Sequence, residues 1–313
     1  SLSNNQQKIT NQTRFTQMKF SILSLISVCF LATSCHNEKA ITITSNDYCA
    51  AVDTVTGIMV HDIFSPPVAS RIYVYPNVAA YEIMVQNSKE YHSLQGQLKG
   101  LDSIPVLDPK SGVNVPLAAL IAQMEVSKKL VFSEEAIEKY RDSLYAKWSD
   151  ENEKEFEVSK EYALKVVDRI AKWMGKDNYK ETRTMPKYSV HADQPARWQP
   201  TPPAYMDAVE PHWGKIRTLV MDSSAQFKAK APFPFSTDKS SDFYREAKET
   251  YDVGNKISKD LLAMEKTKST KIPEESAIAT FWDCNPYATV TQGHMMFAKK
   301  KNTPDAHWIN IAK

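Results

Sequence analysis

The residues able to do chemistry in this chain are scattered. Seven histidines are present, and His191, His212, His294 and His307 carry no HxxxH or HExxH spacing, so no zinc site is implied. The four cysteines include no CxxC pair, and no GxSxG elbow marks a nucleophilic serine. GxGxxG and P-loop motifs are missing as well, which removes two common ways of holding a nucleotide phosphate. The acid-rich run from Asp150 to Glu157 suits the solvated first turn of a helix, where carboxylates meet the positive end of the helix dipole. It offers no acid–base pair. Trp198, His212, Trp213, Trp282 and His294 remain as candidates for lining a pocket or for packing.

These five lie between His191 and His294, where prolines and large aromatics alternate with no period of two or of 3.6. The fixed points are Trp198-Gln-Pro-Thr-Pro-Pro203, Pro211-His-Trp-Gly214, Phe227, Ala231-Pro-Phe-Pro-Phe235 and Ile278-Ala-Thr-Phe-Trp282. Prolines 195, 200, 202, 203 and 211 fix φ and remove amide donors, giving a stiff irregular path. The large rings are expected to pin that path onto helices beneath it.

The helices are read from apolar spacing and end signals. Asp47–Gln86 is expected to be helical with a break at Ser65-Pro-Pro67, since prolines start helices more readily than they sit inside them. Arg71 on the second half has Glu82 or another acid as partner, or only solvent. A loop over Gly96–Val115 leads to a helix at Leu117–Met124. Ser133 is the expected cap of Glu134–Lys147, and Asp150 that of a following helix stopped by Gly175. Asp242–Met264, a segment led by Pro273, and a last helix opened by Thr303-Pro-Asp305 complete the reading. Only 8 of 313 residues are glycine, so hairpin turns are few. The expected fold class is all-α, a helical bundle with a long Pro/aromatic-rich irregular segment.

The amino terminus reads as an export signal. Residues 1–17 are polar and rich in Asn and Gln, an upstream extension. Met18 and Lys19 then precede the apolar run Phe20–Leu31, which is shorter than the roughly 20 residues of a membrane span. Leu31-Ala-Thr-Ser-Cys35 resembles a bacterial lipoprotein lipobox, implying lipidation at Cys35; an ordinary secretory signal is the competing reading. The expected organisation is thus extension and signal peptide over 1–34, a lipidated tether over 35–46, and a helical part over 47–313. Either way the chain is exported, and the lipid would anchor it in the bacterial cell envelope, periplasmic or on the outer-membrane face. Lys8, Arg14 and Lys19 precede Cys35 with no acid among them, and setting them aside turns the formal charge of +2 into −1. A nearly neutral surface argues against a nucleic-acid partner. Cys49 and Cys284 remain, either as a disulfide or as two thiols.

Taken together, the ordered motifs from Ile58 onward resemble the vanadium-dependent haloperoxidase and type 2 phosphatidic acid phosphatase superfamily, in its bacterial exported form. Ser65-Pro-Pro-Val-Ala-Ser-Arg-Ile-Tyr73 with Ala79-Ala-Tyr-Glu82 matches the Pro-led helix with which members open, and Gly293-His294 stands where they keep a Gly-His pair. The resemblance implies an oxyanion cage for vanadate or phosphate. That cage comes from three downstream motifs: a lysine before Arg-Pro, Pro-Ser-Gly-His, and Ser-Arg followed by histidine. Cationic side chains and helix-end amides hold the anion while one histidine bonds to it and another moves a proton. None is found here. There is no Arg-Pro, Gln292 stands before Gly293-His294 where serine is needed, and Ser70-Arg71 is followed at the histidine place by Asn77. The chain therefore reads as the amino-terminal part of a haloperoxidase- or phosphatase-like protein, with vanadate as cofactor and a small-molecule substrate only for the whole enzyme. The alternatives are a lipid-anchored binding protein that captures glycans on Trp198, Trp213 and Trp308, or an inactive scaffold.

Overall fold

The computed structural model describes residues 39–194, 196–202, 205–282 and 311, and among these every regular element is helical. Helix α1 (Ser45–His61) opens with a reciprocal cap. Thr44 Oγ1 accepts from the Asp47 amide at 3.3 Å, and Asp47 accepts from the Thr44 amide at 2.7 Å. Helix α2 (Pro66–Met84) starts at the proline pair, where the missing amides would be unbonded anyway. It also tolerates Pro76 in its interior, and one turn back the Asn77 side chain donates to the Tyr73 carbonyl at 2.7 Å. The same side chain accepts from Tyr48 at 2.7 Å and so ties α1 to α2.

Helix α3 (Val115–Lys128) is the centre of the molecule. Leu117, Ala118, Leu120, Ile121 and Ala122 are fully buried, a helix apolar on all sides because α2 and α4 cover it. Asn114 caps it, its Oδ1 accepting from the Leu117 amide at 3.1 Å. Helix α4 (Glu134–Met174) is the two helices expected from the sequence, joined across a kink, but with other caps. Ser133 makes no cap bond; its hydroxyl instead donates to Asp62. The helix is interrupted at Asn152 (φ −163°, ψ 90°), and Asn152 rather than Asp150 caps the second half, accepting from the Glu155 amide at 3.0 Å. Gly175 does end α4, but in a right-handed conformation. A Cβ there would lie 3.3 Å from the Ala171 carbonyl oxygen, and the left-handed residue is Asn178 (φ +71°). The short helix α5 (Tyr179–Thr182) follows, then the irregular segment, α6 (Asp242–Thr267) and α7 (Glu274–Trp282).

The core has two parts. One surrounds α3 and the second half of α4; the other joins Val52, Val55 and Met59 of α1 to Ile72 of α2 and Ile137 of α4. No described residue beyond Thr182 is buried. The irregular segment was expected to be pinned down by its rings, and here the structure differs. Phe227 is 77% exposed, and Trp198, Tyr205, Phe233 and Phe235 are half-exposed or more. Helix α6 carries an apolar stripe with Tyr251 and Leu261 turned to solvent, since no described element lies over it. Among the described residues no helix is long and apolar enough to cross a membrane. The signal region, Cys35, Cys284 and the segment from Thr303 to Asn310 lie outside the described residues.

Asp62 joins α1 to α4. It ends α1 while its carboxylate accepts from the Phe132 amide at 2.8 Å and the Ser133 amide at 3.0 Å. Burial raises its pKa, but the bonds from Ser133, His61 and Phe132 outweigh that and hold it below the ordinary 3.8. A group with a depressed folded-state pKa stabilises fully above its unfolded pKa and loses that contribution as pH falls through the folded value. Asp62→Ala is expected to cost about 1–3 kcal/mol in urea unfolding at pH 7. The gap to wild type should close below a pH of about 4; a gap constant to pH 2 would remove the carboxylate from this role. Leu120→Ala should cost about 2–5 kcal/mol, while Leu262→Ala on the exposed face of α6 should stay within about 0.5 kcal/mol.

Candidate functional site

The end of α4 and the segment after it return to α2 and enclose a cavity of about 240 Å³. Four side chains build its floor. Asp177, three residues past the end of α4, accepts on Oδ2 from Arg71 Nε at 2.6 Å and from the Tyr75 hydroxyl at 2.9 Å. Its other oxygen accepts from the Tyr179 amide at 3.0 Å and so starts α5. Arg71 and Asp177 are both withdrawn from water, with side chains 10% and 2% exposed. The partner that the sequence left open for Arg71 is thus Asp177. Glu82 is three turns along α2, about 16 Å at 1.5 Å per residue; it accepts from Ser93 Oγ and the Leu94 amide, both at 2.6 Å.

Arg71 is also held by two aromatic faces, 5.1 Å from the Tyr75 ring centroid and 4.3 Å from that of Tyr179. Arg183 lies over the same Tyr179 ring at 4.5 Å and pairs with Glu210, whose carboxyl it holds below the usual range. Burial, reinforced by the Asp177 carboxylate, pushes the Tyr75 phenol well up, so it remains a donor.

Arg217 closes the network. Its amide donates to the Asp177 carbonyl at 2.9 Å, Nη1 to the Trp173 carbonyl at 2.9 Å and Nη2 to the Tyr75 hydroxyl at 3.0 Å. The guanidinium stacks 4.7 Å from the Trp173 ring, whose indole donates to the Lys99 carbonyl at 2.9 Å. Gly100, at φ +75°, lets that loop turn beneath Trp173 and Arg217. No described carboxylate pairs with Arg217, and its Nε is buried without a hydrogen-bond partner, a loss of about 1–3 kcal/mol if nothing else meets it. Ser70, Trp213, Gly214 and Ser224 complete the wall.

Of the candidates singled out by sequence, Trp213 lines this cavity and packs on the smaller core cluster. His212 is next to it in sequence but outside the wall; its Nε2 donates to the Pro186 carbonyl at 2.6 Å. Trp198 stands half-exposed against Tyr188, ring centroids 5.5 Å apart. Trp282 ends α7, 78% exposed beside Phe281. The structure does not bring these together, and His294 lies outside the described residues. Asp177, Tyr75 and Arg217 were not singled out. The only sequence signal for Asp177 was its place just after a glycine helix stop.

A bacterial vanadium-dependent iodoperoxidase of known crystal structure shares this fold. The sequences are 53% identical, the TM-score is 0.77, and the match covers 88% of this chain and 62% of that one. No protein-family model matches the sequence, nor does any curated protein. The chain is an all-α protein related to the vanadium haloperoxidase and type 2 phosphatidic acid phosphatase superfamily. Within that class, the structure to which it is likened is the iodoperoxidase, and the chain spans less than two thirds of it.

Such a relationship raises vanadate, and the described residues lack the histidine that would bond to its vanadium. No histidine lines the cavity, and no group of three His, Cys, Asp or Glu side chains converges among the described residues. What the site offers is cationic: two guanidiniums over one carboxylate.

Removing one partner of a buried pair leaves the other charge uncompensated, so Asp177→Ala is expected to cost about 3–5 kcal/mol in chemical unfolding. Tyr75→Phe should cost only about 1 kcal/mol. The double variant Arg71→Met, Asp177→Leu should be more stable than Asp177→Ala alone, and the reverse order would show that the pair is not the clamp described.

Proposed function

We propose that this chain is the amino-terminal helical part of an exported, lipid-anchored haloperoxidase-type enzyme that oxidises halide with peroxide in the presence of vanadate. The observation that carries the reading is the 53% identity to a vanadium-dependent iodoperoxidase over 88% of the chain. The match takes in 62% of that protein, which accords with a whole enzyme longer than this chain. In the whole protein, vanadate would supply the electrophilic activation of peroxide. The described part supplies the helical frame, and its proline and arginine motif at Ser65–Tyr73 resembles the one with which family members open. Phosphomonoester hydrolysis stands behind halide oxidation because the structural likeness is to a peroxidase. Cys35, within a lipobox-like sequence, supports anchoring in the cell envelope.

The test is the intact mass and activity of the protein taken from its native membrane. The expected mass exceeds the 35.5 kDa of the 313 residues, with peptides carrying Arg-Pro, Ser-Gly-His and Ser-Arg…His, and a lipid on Cys35. Iodide oxidation by hydrogen peroxide should then appear on adding vanadate. A mass equal to Cys35–Lys313 plus lipid, with no such activity, would reject the enzyme reading. Binding of polysaccharide that is lost in Trp213→Ala would instead establish a glycan-capturing lipoprotein.

A further inference from the structure

We infer that the cavity between α2, Asp177 and the segment 213–224 is a binding site for a small oxyanion of the charge and size of phosphate or sulfate. Arg71 and Arg217 both line it, and between them they have one carboxylate, Asp177. The other acids nearby bond to residues other than these two arginines. Glu210 is taken by Arg183, and Asp222 accepts from Gln226 at 3.3 Å while its carbonyl takes Lys99 Nζ at 2.9 Å. Arg217 is therefore the excess cation, held among Trp173, Tyr75 and backbone carbonyls rather than against an acid.

Two features point to an oxyanion rather than a neutral ligand. The Arg217 Nε is buried and unpartnered, and an oxygen acceptor at the cavity would meet it. Arg71 uses only Nε on Asp177 among its described hydrogen bonds, while two tyrosine rings fix its plane. Its terminal nitrogens thus keep donors for a ligand, and a guanidinium presents them in the fork that matches phosphate and sulfate oxygens. Ser70 and Ser224 also line the wall, their hydroxyls donating to the Pro67 carbonyl at 2.6 Å and the Gly214 carbonyl at 3.2 Å. A volume of about 240 Å³ holds such an ion together with water.

The inference does not rest on the haloperoxidase reading. The 313-residue sequence holds none of the three downstream cage motifs, so an ion bound by this chain reports the cavity described here. The experiment is equilibrium dialysis of the whole chain with radiolabelled inorganic phosphate, at constant ionic strength in chloride. One saturable site per chain is expected, displaced by sulfate and not by equimolar chloride. Arg217→Gln should weaken it about tenfold, the loss of one charge-assisted hydrogen bond. Ser70→Leu, which fills the cavity and leaves both arginines paired as they are, should abolish binding and serves also where Arg217→Gln fails to fold. No saturable binding by the unaltered chain would overturn the site. So would equal displacement by chloride, or phosphate binding undiminished in a folded Arg217→Gln or Ser70→Leu variant.

Discussion

The carboxylate of Asp177 is where the fold closes on itself. It lies beyond the end of the longest helix, yet it bonds to Arg71 and Tyr75 on α2, more than a hundred residues earlier in the chain. Through its carbonyl it also fixes Arg217, and through its second oxygen it starts α5. One small side chain thus brings the second helix, the end of the fourth and the following segment to a common point. A buried ion pair brings little net stability by itself, because both charges give up water. Its effect is positional: any other arrangement of α4 against α2 would strand Arg71 in an apolar setting. The stacked rings of Tyr75, Tyr179 and Trp173 reinforce this by leaving the guanidiniums few places to go.

Around that point the energetics are ordinary for a helical protein. Helix α3 supplies burial, and α2 and α4 cover it. Among the polar exceptions inside, Glu82 holds the start of the loop after α2, whereas Gln123 Oε1 on α3 is buried without a hydrogen-bond partner among the described residues. The likeness to the iodoperoxidase shows that this arrangement is shared with a vanadium-dependent protein. It says less about chemistry in the described part, where the polar residues that converge are arginines, a tyrosine and one aspartate rather than histidines.

Much of the helical frame could be read from local signals. Pro66-Pro67 started a helix as their missing amides require, and the helix read at Asp242–Met264 is present, with Ser241 Oγ accepting from the Tyr244 amide at 3.2 Å. Where an end was set by a residue far away, local reading failed. Ser133 looked like a cap, but its hydroxyl is taken by Asp62 from α1. Asp150 fitted a capping pattern, yet Asn152 sits at the actual break. The cavity was the least legible part. Arg71, Asp177 and Arg217 lie in unrelated stretches and carry no joint periodicity; only the folded chain makes them neighbours. The irregular segment was recognised as irregular, but composition could not say that its rings would stay outside the core.

Beyond Thr182 no described residue is buried, which divides the described chain into two kinds of backbone. Amides in α3 are sealed beneath two other helices, so their hydrogens can exchange with solvent only when the whole core opens. Among the described residues, amides in α6 are protected chiefly by helical bonds. A 26-residue helix with little cover from the described residues, beyond Phe235 on Phe243 and Glu275 on Lys256, opens and reforms from its ends and around Gly254. A deuterium clock run on this protein would therefore tick at two speeds, and the boundary between them would fall near Arg217, the last described residue tied into the Asp177 network.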